Sequence, residues 1–259
     1  MKIIAISNQK GGVGKTTTAV NVAACLAGSE KRVLLIDMDA QCNASTGLGI
    51  EKGVHEISIY DVLTAGSKIS INDAIVKTTH VGYLDIIPAD VNLAGLEIEL
   101  VNEMNRERKL ADALEDLEGD YDYIIIDSPP SLGLTTVNIL TATDSVLIPI
   151  QCEYYALEGL AELLNTIRLV QKNLNPSLEI EGVLLTMYDG RLNLSRQVVE
   201  DVKSFFENQV FETIIPRNVK LSESPSFGKP VINYDIMSAG AIAYQNLAKE
   251  IIEKEGSDE

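Results

Sequence analysis

Short apolar runs alternate along the chain with stretches in which apolar residues recur every three or four positions. The runs are rich in β-branched residues, and several are apolar on both faces, as the strands of a covered parallel sheet are. They predict seven strands, at residues 2–7, 32–37, 83–88, 123–127, 145–150, 180–187 and 211–215.

The stretches between these runs predict amphipathic helices. Spacings of three and four residues mark two of them most clearly. One carries Leu157, Leu160, Leu164, Ile167 and Val170, and the other carries Val198, Val199, Val202, Phe205 and Phe206. Alternating strands and helices favour an α/β fold with a doubly wound, mostly parallel sheet, right-handed crossovers and flanking helices.

The length of 259 residues and the hydrophobic content of 46% allow one substantial core. We therefore expect a single domain over residues 1–254, followed by a short acidic flexible tail at residues 255–259. No apolar run approaches the roughly 20 residues of a membrane-spanning helix, and a signal-peptide pattern is missing, which together predict a cytoplasmic protein.

Charge and cysteine content narrow the functional classes. A formal charge of -17 argues against coating nucleic acid through the overall field, so any DNA surface must be a local patch. Cys25, Cys42 and Cys152 are far apart and odd in number, which fits reduced thiols better than a disulfide framework. They also lack the spacing of metal ligands.

A glycine-rich motif lies between the first predicted strand and a helix rich in alanine and valine. In a Walker A loop, glycines let backbone N–H groups surround phosphate, a lysine reaches the β- and γ-phosphates, and a hydroxyl binds Mg²⁺. The positive end of the following helix dipole favours the same phosphates. The motif predicts binding of ATP or ADP with Mg²⁺ and consists of Lys10, Gly11, Gly12, Val13, Gly14, Lys15, Thr16 and Thr17.

Carboxylates follow two of the buried strands. Asp37 and Asp39 end the second predicted strand, and Asp127 comes after four apolar residues. Ligands of open α/β sheets bind at the carboxyl ends of the strands, which the phosphate loop shares. Asp127 is typical of a Walker B acid that holds Mg²⁺ through its water shell, and Pro129 and Pro130 end the regular structure after it.

These motifs resemble those of the ParA/MinD superfamily with a deviant Walker A loop, and in particular the ParA/Soj partition ATPases. The sequence K-G-G-V-G-K-T-T is similar to the deviant Walker A motif, L-L-I-D-M-D-A-Q to the family's L-L-x-D-x-D-P-Q, and D-S-P-P to its D-x-P-P switch. Residues 151–159, 182–189 and 215–223 also look like chromosomal ParA/Soj sequences. The resemblance covers nearly the whole chain.

The resemblance implies roles for individual residues at the nucleotide. Lys10 would reach across a dimer interface to the partner's ATP, much as an arginine finger does, and Asp39 would orient the attacking water. Thr16, Asp37 and Asp127 would support Mg²⁺, and Pro216 and Asn218 would lie against the adenine. The sequence departs from the family pattern at Ala40, in place of proline, and Cys42, in place of glycine, which affects the stiffness of this loop.

The resemblance also implies partners: nonspecific DNA, a second copy of the chain in an ATP-dependent homodimer, and a ParB/Spo0J-type protein that stimulates hydrolysis. The protein would be associated with the nucleoid when ATP is bound. Cations are sparse in this acidic chain but recur where the family contacts DNA, as a phosphate-binding patch requires. The positions are Arg191, Arg217 and Lys220, with Arg196 and Lys203 as neighbours.

Other functions of the same fold compete with this interpretation. A MinD-like membrane ATPase needs a basic amphipathic end, whereas residues 241–255 carry two lysines and three glutamates, so no membrane partner is expected. An iron–sulfur reductase needs cysteines after Asp127, which the sequence lacks there. A kinase has no recognisable second-substrate site here, although the phosphate loop alone does not exclude one. A ParA-like ATPase that positions a cargo other than DNA stays open.

The remaining polar and aromatic candidates receive structural roles. His55 and His80 have no nearby nucleophile or metal-spaced partner, so no histidine-based catalysis is expected. Tyr154 and Tyr155 are interpreted as packing residues rather than stacking platforms.

Overall fold

The computed structural model describes residues 1–51, 53, 55–65, 68–153 and 160–256. Within them, seven strands form one sheet: β1 (Lys2–Ile6), β2 (Val33–Asp37), β3 (Val76–Lys77), β4 (Leu84–Ile87), β5 (Tyr123–Asp127), β6 (Ser145–Gln151) and β7 (Glu179–Thr186). Their order is β3-β4-β2-β5-β1-β6-β7, and only the β3–β4 pair is antiparallel. The predicted doubly wound, mostly parallel sheet is therefore confirmed.

The described helices cover both faces of the sheet. They are α1 (Lys15–Gly28), α2 (Asn43–Gly47), α3 (Ile59–Ala65), α4 (Leu96–Glu99), α5 (Lys109–Glu115), α6 (Leu134–Ala142), α7 (Leu160–Asn173), α8 (Asn193–Phe206), α9 (Val219–Glu223), α10 (Val231–Tyr234) and α11 (Ala239–Glu255). Short 3-10 helices connect several of them.

Two hydrophobic layers result from the alternation of side chains along the strands. In β1, Ile4 and Ile6 pack with α1, α2, α10 and α11 on one face, while Ala5 packs with α3 to α8 on the other. Every residue of β2 and β5 is buried, which explains why these strands read as continuous apolar runs. Helix α1 packs against α11, where the hydroxyls of Thr18 and Tyr244 lie 3.1 Å apart.

The predicted strand at residues 211–215 is wrong. The N–H groups of Phe211 and Ile215 donate to carbonyls of β7, but those of Glu212 and Thr213 donate to the Glu250 carboxylate of α11 instead. Only isolated bridges form at either end of this segment. The apolar pattern reflects the burial of Phe211 and Ile215 in the core, and the backbone between them is satisfied by a side chain.

The other differences between predicted and observed strands are small and have local causes. The edge strand β3, only two residues long, was not predicted. Strand β4 begins after Tyr83, which has a φ of 64°, and β7 ends before Met187, which has a φ of 53°. Because bulky residues rarely adopt this left-handed region, both positions break the extended backbone.

The sequence predicted one apolar face on α7 and one on α8. Within the described residues both faces pack inward, with one exception on α8. Leu160, Ile167 and Val170 of α7 are buried, while Leu157 lies outside the described residues. On α8, Val198, Val202 and Phe206 are buried, but Phe205 is exposed. Two adjacent helical residues differ by about 100° around the axis, so Phe205 and Phe206 cannot both face the sheet.

The C-terminal helix includes the first residue of the predicted tail. Glu255 is the last residue of α11, and its carboxylate accepts a hydrogen bond from the Tyr123 hydroxyl. Residues 257–259 lie outside the described residues. No described helix is long and apolar enough to cross a membrane.

Candidate nucleotide site and cationic surface

The phosphate loop connects β1 to α1 at the carboxyl edge of the sheet. Gly12 and Gly14 have φ values of 77° and 92°, in the left-handed region that favours glycine. A Cβ added at Gly11 or Gly12 would meet no atom within 4 Å, so the space in front of the loop is open. Gly14 is the N-cap of α1 and supplies no side-chain cap, which leaves the first N–H groups of the helix directed at this space.

Lys15 folds back across the loop. Its Nζ donates a hydrogen bond to the Lys10 carbonyl at 3.1 Å, and the residue is only 7% exposed. Burial lowers the pKa of Lys15, while the nearby carboxylates of Asp127 and Asp39 act in the opposite direction. The ammonium therefore lies in a closed loop where a phosphate could replace the carbonyl as its partner.

Two residues outside the sequence motifs hold the loop in place. The side chain of Asn8 donates to the Pro149 carbonyl at 2.7 Å and accepts from the Lys10 N–H at 3.0 Å. The Thr186 hydroxyl at the end of β7 donates to the Val13 carbonyl at 2.8 Å. Neither residue was predicted, and their position at or just after the end of a strand at the nucleotide edge was the signal that could have identified them.

Asp37 anchors the loop that follows β2. One of its oxygens accepts from both the N–H and the hydroxyl of Ser45, at 2.8 and 2.7 Å, and the other accepts from the Asp39 N–H at 3.1 Å. Burial raises the pKa of Asp37, although the hydrogen bonds from Ser45 and Asp39 oppose this rise. Ser45 was missed because its role depends on α2 returning to the strand end. The metal role of Asp37 stays a prediction.

Asp39 lies on the same loop and is largely buried. It is 9% exposed, and its Oδ1 accepts a hydrogen bond from the Gln41 N–H at 2.9 Å. A pocket of about 150 Å³ lies between this loop and residues 128–133, which we call the switch segment. The pocket is lined in part by Asp39, Ala40, Pro129 and Gly133. The structure thus places the carboxylate beside space that a water could occupy, and its catalytic role stays a prediction.

Cys42, which stands where the family often has glycine, adopts a backbone conformation that favours glycine. Cys42 is the N-cap of α2, is buried, and has a φ of 54°. This left-handed conformation carries no penalty for glycine but costs a residue with a Cβ roughly 1 kcal/mol. The side chain compensates by packing in the core on the side of α3 to α8. The structure gives no comparable feature for Ala40.

Asp127 is completely buried beside the loop. It is the register partner of Asp37 in β2 and of Ile6 in β1, and neither of its oxygens has a hydrogen-bond partner among the described residues. Burial and the Asp37 charge raise its pKa well above the usual range. The Thr16 hydroxyl, outside hydrogen-bond geometry, and Lys15 offset part of this rise.

The residues around Asp127 fit a magnesium ion bound together with nucleotide. A buried carboxylate with free oxygens lies next to the Thr16 hydroxyl and the open phosphate loop. The described residues contain no group of three or more His, Cys, Asp or Glu side chains arranged to hold a metal alone. Mg²⁺ prefers such sites, with one or two protein ligands completed by water and substrate phosphates.

Lys10 and the predicted adenine contacts lie on separate loops of the chain. Lys10 is half-buried, and no carboxylate among the described residues lies within 4 Å of its Nζ. Asn218 caps α9 by accepting from the Lys220 N–H at 2.8 Å, and Pro216 forms a bridge with Tyr188. The roles of Lys10, Pro216 and Asn218 at a nucleotide stay predictions.

We refer to the predicted DNA-contacting residues Arg191, Arg217 and Lys220 together as the cationic surface. The Arg217 N–H donates to the Tyr188 carbonyl at 2.9 Å, which brings Arg217 near the loop that carries Arg191. Lys220 lies on α9, three residues further along the chain. Arg196 donates to the Gly190 carbonyl on the same loop, and Lys203 is exposed further along α8.

Each member of the cationic surface already has an acidic partner. Arg191 makes two hydrogen bonds with Asp189, at 2.6 and 2.9 Å, and these lower the pKa of the Asp189 carboxyl to about 2. Arg217 pairs with Glu153 at 3.1 Å. Lys220 pairs with Glu223 at 3.0 Å, and its Nζ lies 5.4 Å from the centroid of the Tyr234 ring.

Other candidates take no part in this arrangement. His80 contributes its carbonyl to a hydrogen bond from Asn233, and the structure gives His55 no role at the nucleotide site. Tyr154 and Tyr155 lie outside the described residues.

The sequence of this chain is similar to those of known proteins over most of its length. A family model described as an AAA domain matches residues 1–180. The sporulation initiation inhibitor protein Soj of Bacillus subtilis is 62% identical over 96% of this chain and 98% of its own length. The chromosome partitioning protein ParA of Myxococcus xanthus is 56% identical over 98% of this chain and 89% of its own length.

A solved structure matches over the full chain. It is described as a cobyrinic acid a,c-diamide synthase from Mycobacterium smegmatis with bound ADP and magnesium. The TM-score is 0.87 at 37% identity, and the alignment covers 100% of this chain and 97% of that one.

Proposed function

The chain belongs to the ParA/Soj family of partition ATPases, and from this premise we propose that it is an ATP-driven switch for partitioning chromosomes or plasmids. The observation that carries the proposal is the buried Asp127 carboxylate, without a hydrogen-bond partner among the described residues, beside a glycine loop that opens onto the first turn of α1. A buried charge of this kind is costly unless a ligand compensates it. ATP or ADP with Mg²⁺ supplies that compensation.

Nucleotide binding uses the loop and the start of α1. Backbone N–H groups of residues 11–17 surround the phosphates, and Lys15 exchanges the Lys10 carbonyl for a phosphate oxygen. Thr16 and Asp127 hold Mg²⁺, with Asp37 supporting the loop from behind. When bound, Mg²⁺ neutralises charge on the phosphates during transfer.

Hydrolysis depends on the loop after β2. Asp39 orients the attacking water, and the hydrogen bond from Gln41 holds one of its carboxylate oxygens in place. Intrinsic turnover is slow because the pocket beside Asp39 leaves room for the water to take more than one position. A ParB/Spo0J-type partner and DNA accelerate the step by completing this site.

The ATP-bound state is a sandwich dimer. Lys10 reaches the nucleotide of the partner subunit, and the absence of an acidic partner for its Nζ among the described residues supports this use. Hydrolysis removes the γ-phosphate that both subunits contact and returns the chain to monomers. The switch is thereby coupled to assembly.

DNA binding of any sequence uses the cationic surface. The acidic partners of Arg191, Arg217 and Lys220 are surface ion pairs, which contribute only about 0–1 kcal/mol and exchange readily for phosphates. Two copies of the surface in one dimer double the number of phosphates that can be bound. The dimer therefore binds DNA and associates with the nucleoid, while the monomer does not.

A second candidate is a related ATPase that positions a cargo other than DNA. The observation in its favour is that every member of the cationic surface is paired with an acid in a chain of net charge -17. The nucleotide cycle would be the same, and only the surface bound by the dimer would differ.

The deciding experiment is sedimentation of the purified protein with DNA of unrelated sequence, in ATP, ADP or no nucleotide, at low and moderate salt. The expected result is binding only with ATP, weaker at moderate salt. Lys15→Ala is the control, because loss of the phosphate-binding amine should remove both ATP binding and DNA binding. If the protein hydrolyses ATP but sediments with DNA in none of these conditions, the second candidate replaces the first.

A further inference from the structure

The segment between β4 and α5 exposes a row of apolar side chains that the nucleotide cycle does not use. We call this row the 91–104 ridge: Val91, Ile98, Val101 and Met104. Each is at least 55% exposed, and Met104 reaches 86%. Between these exposed residues, Leu93, Leu96 and Leu100 are buried in the core that includes α6, and they fix the segment to the domain. Such a cluster of exposed apolar residues is typical of an interaction surface.

The ridge is acidic as well as apolar. Residues 91–105 contain three glutamates and no lysine or arginine. Glu97, Glu99 and Glu103 are exposed and interleave with the apolar side chains. Glu99 accepts from the Tyr60 hydroxyl and Glu103 pairs with Lys109, which leaves the outer side of the segment with an excess of negative charge.

The ridge adjoins both loops of the proposed hydrolysis site. A Cβ added at Gly133, the N-cap of α6, would lie 3.2 Å from the Glu97 Oε2, so this carboxylate contacts the end of the switch segment. The pocket of about 150 Å³ beside Asp39 is also lined by Leu93, Ala94 and Glu97. A molecule bound on the ridge would therefore reach the mouth of this pocket.

We propose that the 91–104 ridge is the docking surface for the protein partner that stimulates hydrolysis, and that it takes a segment with an apolar face flanked by lysine or arginine. The proposal rests on the proposed function, because it assigns a surface to the partner named there. Apolar side chains of the segment cover Ile98, Val101 and Met104, and its cations pair with the glutamates.

The charge of the ridge favours this occupant over the other two. DNA is repelled because Glu97 and Glu99 have no basic partner within 4 Å among the described residues, and only Glu103 is paired, with Lys109. In a symmetric contact, a second copy of this chain would place the same three glutamates against these. A basic amphipathic segment is complementary to both properties of the ridge.

Docking acts on hydrolysis by ordering the two loops. A segment on the ridge packs against Glu97 and closes the pocket between Asp39 and the switch segment. The water beside Asp39 is then held in one orientation and shielded from bulk solvent, which raises the rate of attack. None of the ridge residues is among those assigned to the nucleotide, so they act only when the partner is bound.

The first test compares hydrolysis by two double variants at increasing concentrations of a purified ParB-type protein. In Ile98→Ser/Met104→Ser, the concentration that gives half-maximal stimulation should rise at least about 10-fold, because two apolar side chains no longer pack against the partner. Basal hydrolysis and ATP binding should be unchanged. The matched control is Leu169→Ser/Phe205→Ser, which removes two exposed apolar residues on α7 and α8 and should leave stimulation within about twofold of wild type.

The second test measures coverage of the ridge directly. Cys25, Cys42 and Cys152 are buried, so Met104→Cys provides one exposed thiol for a maleimide dye. Protection from labelling by ATP and the ParB-type protein together, but not by ATP alone, supports the proposal. Protection by ATP alone shows that a second copy covers the ridge and overturns it.

The failures of this proposal and of the proposed function differ. If wild-type hydrolysis is stimulated, but equally in the ridge double variant and without protection of the thiol, the partner docks elsewhere and only the ridge assignment is overturned. If wild-type hydrolysis is not stimulated at all, partner-stimulated release is wrong and the ridge assignment falls with it.

Discussion

Charged side chains at the nucleotide edge are buried and have few hydrogen-bond partners. Those on the cationic surface are exposed and form ion pairs. Asp127 has no hydrogen-bond partner among the described residues, and Lys15 has only the carbonyl of its own loop. Arg191 and Lys220, in contrast, each pair with an acid close in sequence.

This difference affects how strongly each region can contribute to the free energy of ligand binding. A buried charge without compensation lowers the stability of the free protein and makes the ligand's contribution large and specific. Exposed ion pairs contribute little and can exchange, so contact with a polyanion depends on the number of cations brought together. The nucleotide edge should therefore respond sharply to single substitutions, and the cationic surface only gradually.

The largest effect is expected at Asp127. Asp127→Asn removes the carboxylate that would hold Mg²⁺, so ATP hydrolysis should fall about 1000-fold. Without nucleotide the same variant should be more stable to urea by about 2 kcal/mol, because a buried charge is removed.

The stability gain in Asp127→Asn should depend on pH in a defined direction. Burial and Asp37 raise the folded-state pKa of Asp127, so the cost of its charge is fully present above that pKa. It decreases as the pH falls below the folded-state pKa, and it disappears below the unfolded value of about 3.9, where both states are protonated. A variant equal to wild type in stability at neutral pH would contradict the account of Asp127 as an uncompensated charge.

A smaller effect on hydrolysis, with a different signature, is expected at Asp39. Asp39→Ala should slow hydrolysis about 100-fold by removing the group that orients water, while ATP binding is kept. The protein should then accumulate as an ATP dimer that sediments with DNA and does not release on addition of the ParB-type protein. Normal hydrolysis in this variant would remove Asp39 from the catalytic assignment.

The smallest effect is expected on the cationic surface. Arg191→Ala should weaken DNA binding only a few-fold and reduce the dependence of log affinity on log salt by about 1 for each phosphate that is no longer neutralised. Arg32→Ala is the matched control, because Arg32 is also exposed and paired, with Asp120 at 3.2 Å, but precedes β2 at the opposite edge of the sheet. Equal effects of the two substitutions would show that DNA binding follows overall charge and not this surface.

Local patterns predicted the nucleotide edge well and the surface segments less well. Strand β5 and Asp127 were predicted together, because a buried run and a terminal carboxylate are adjacent in sequence. Residues 211–215 have a similar apolar pattern, but Glu250, far along the chain, takes the N–H groups that a strand would need. Phe205 shows the same limitation within a helix, because the period alone did not decide which of two adjacent rings packs inward.

Six of the seven strands of the sheet, the phosphate loop at Gly11 to Thr17 and the carboxylates at the strand ends could be predicted from local patterns, since each depends on residues that are neighbours along the chain. The folded structure was needed to show that Ser45 holds Asp37, that Thr186 holds the phosphate loop, that each cation of the cationic surface is paired, and that the 91–104 ridge lies beside Asp39. The physical reason is that most of these interactions join segments far apart in sequence, and parallel strands bring such segments together only when the sheet closes.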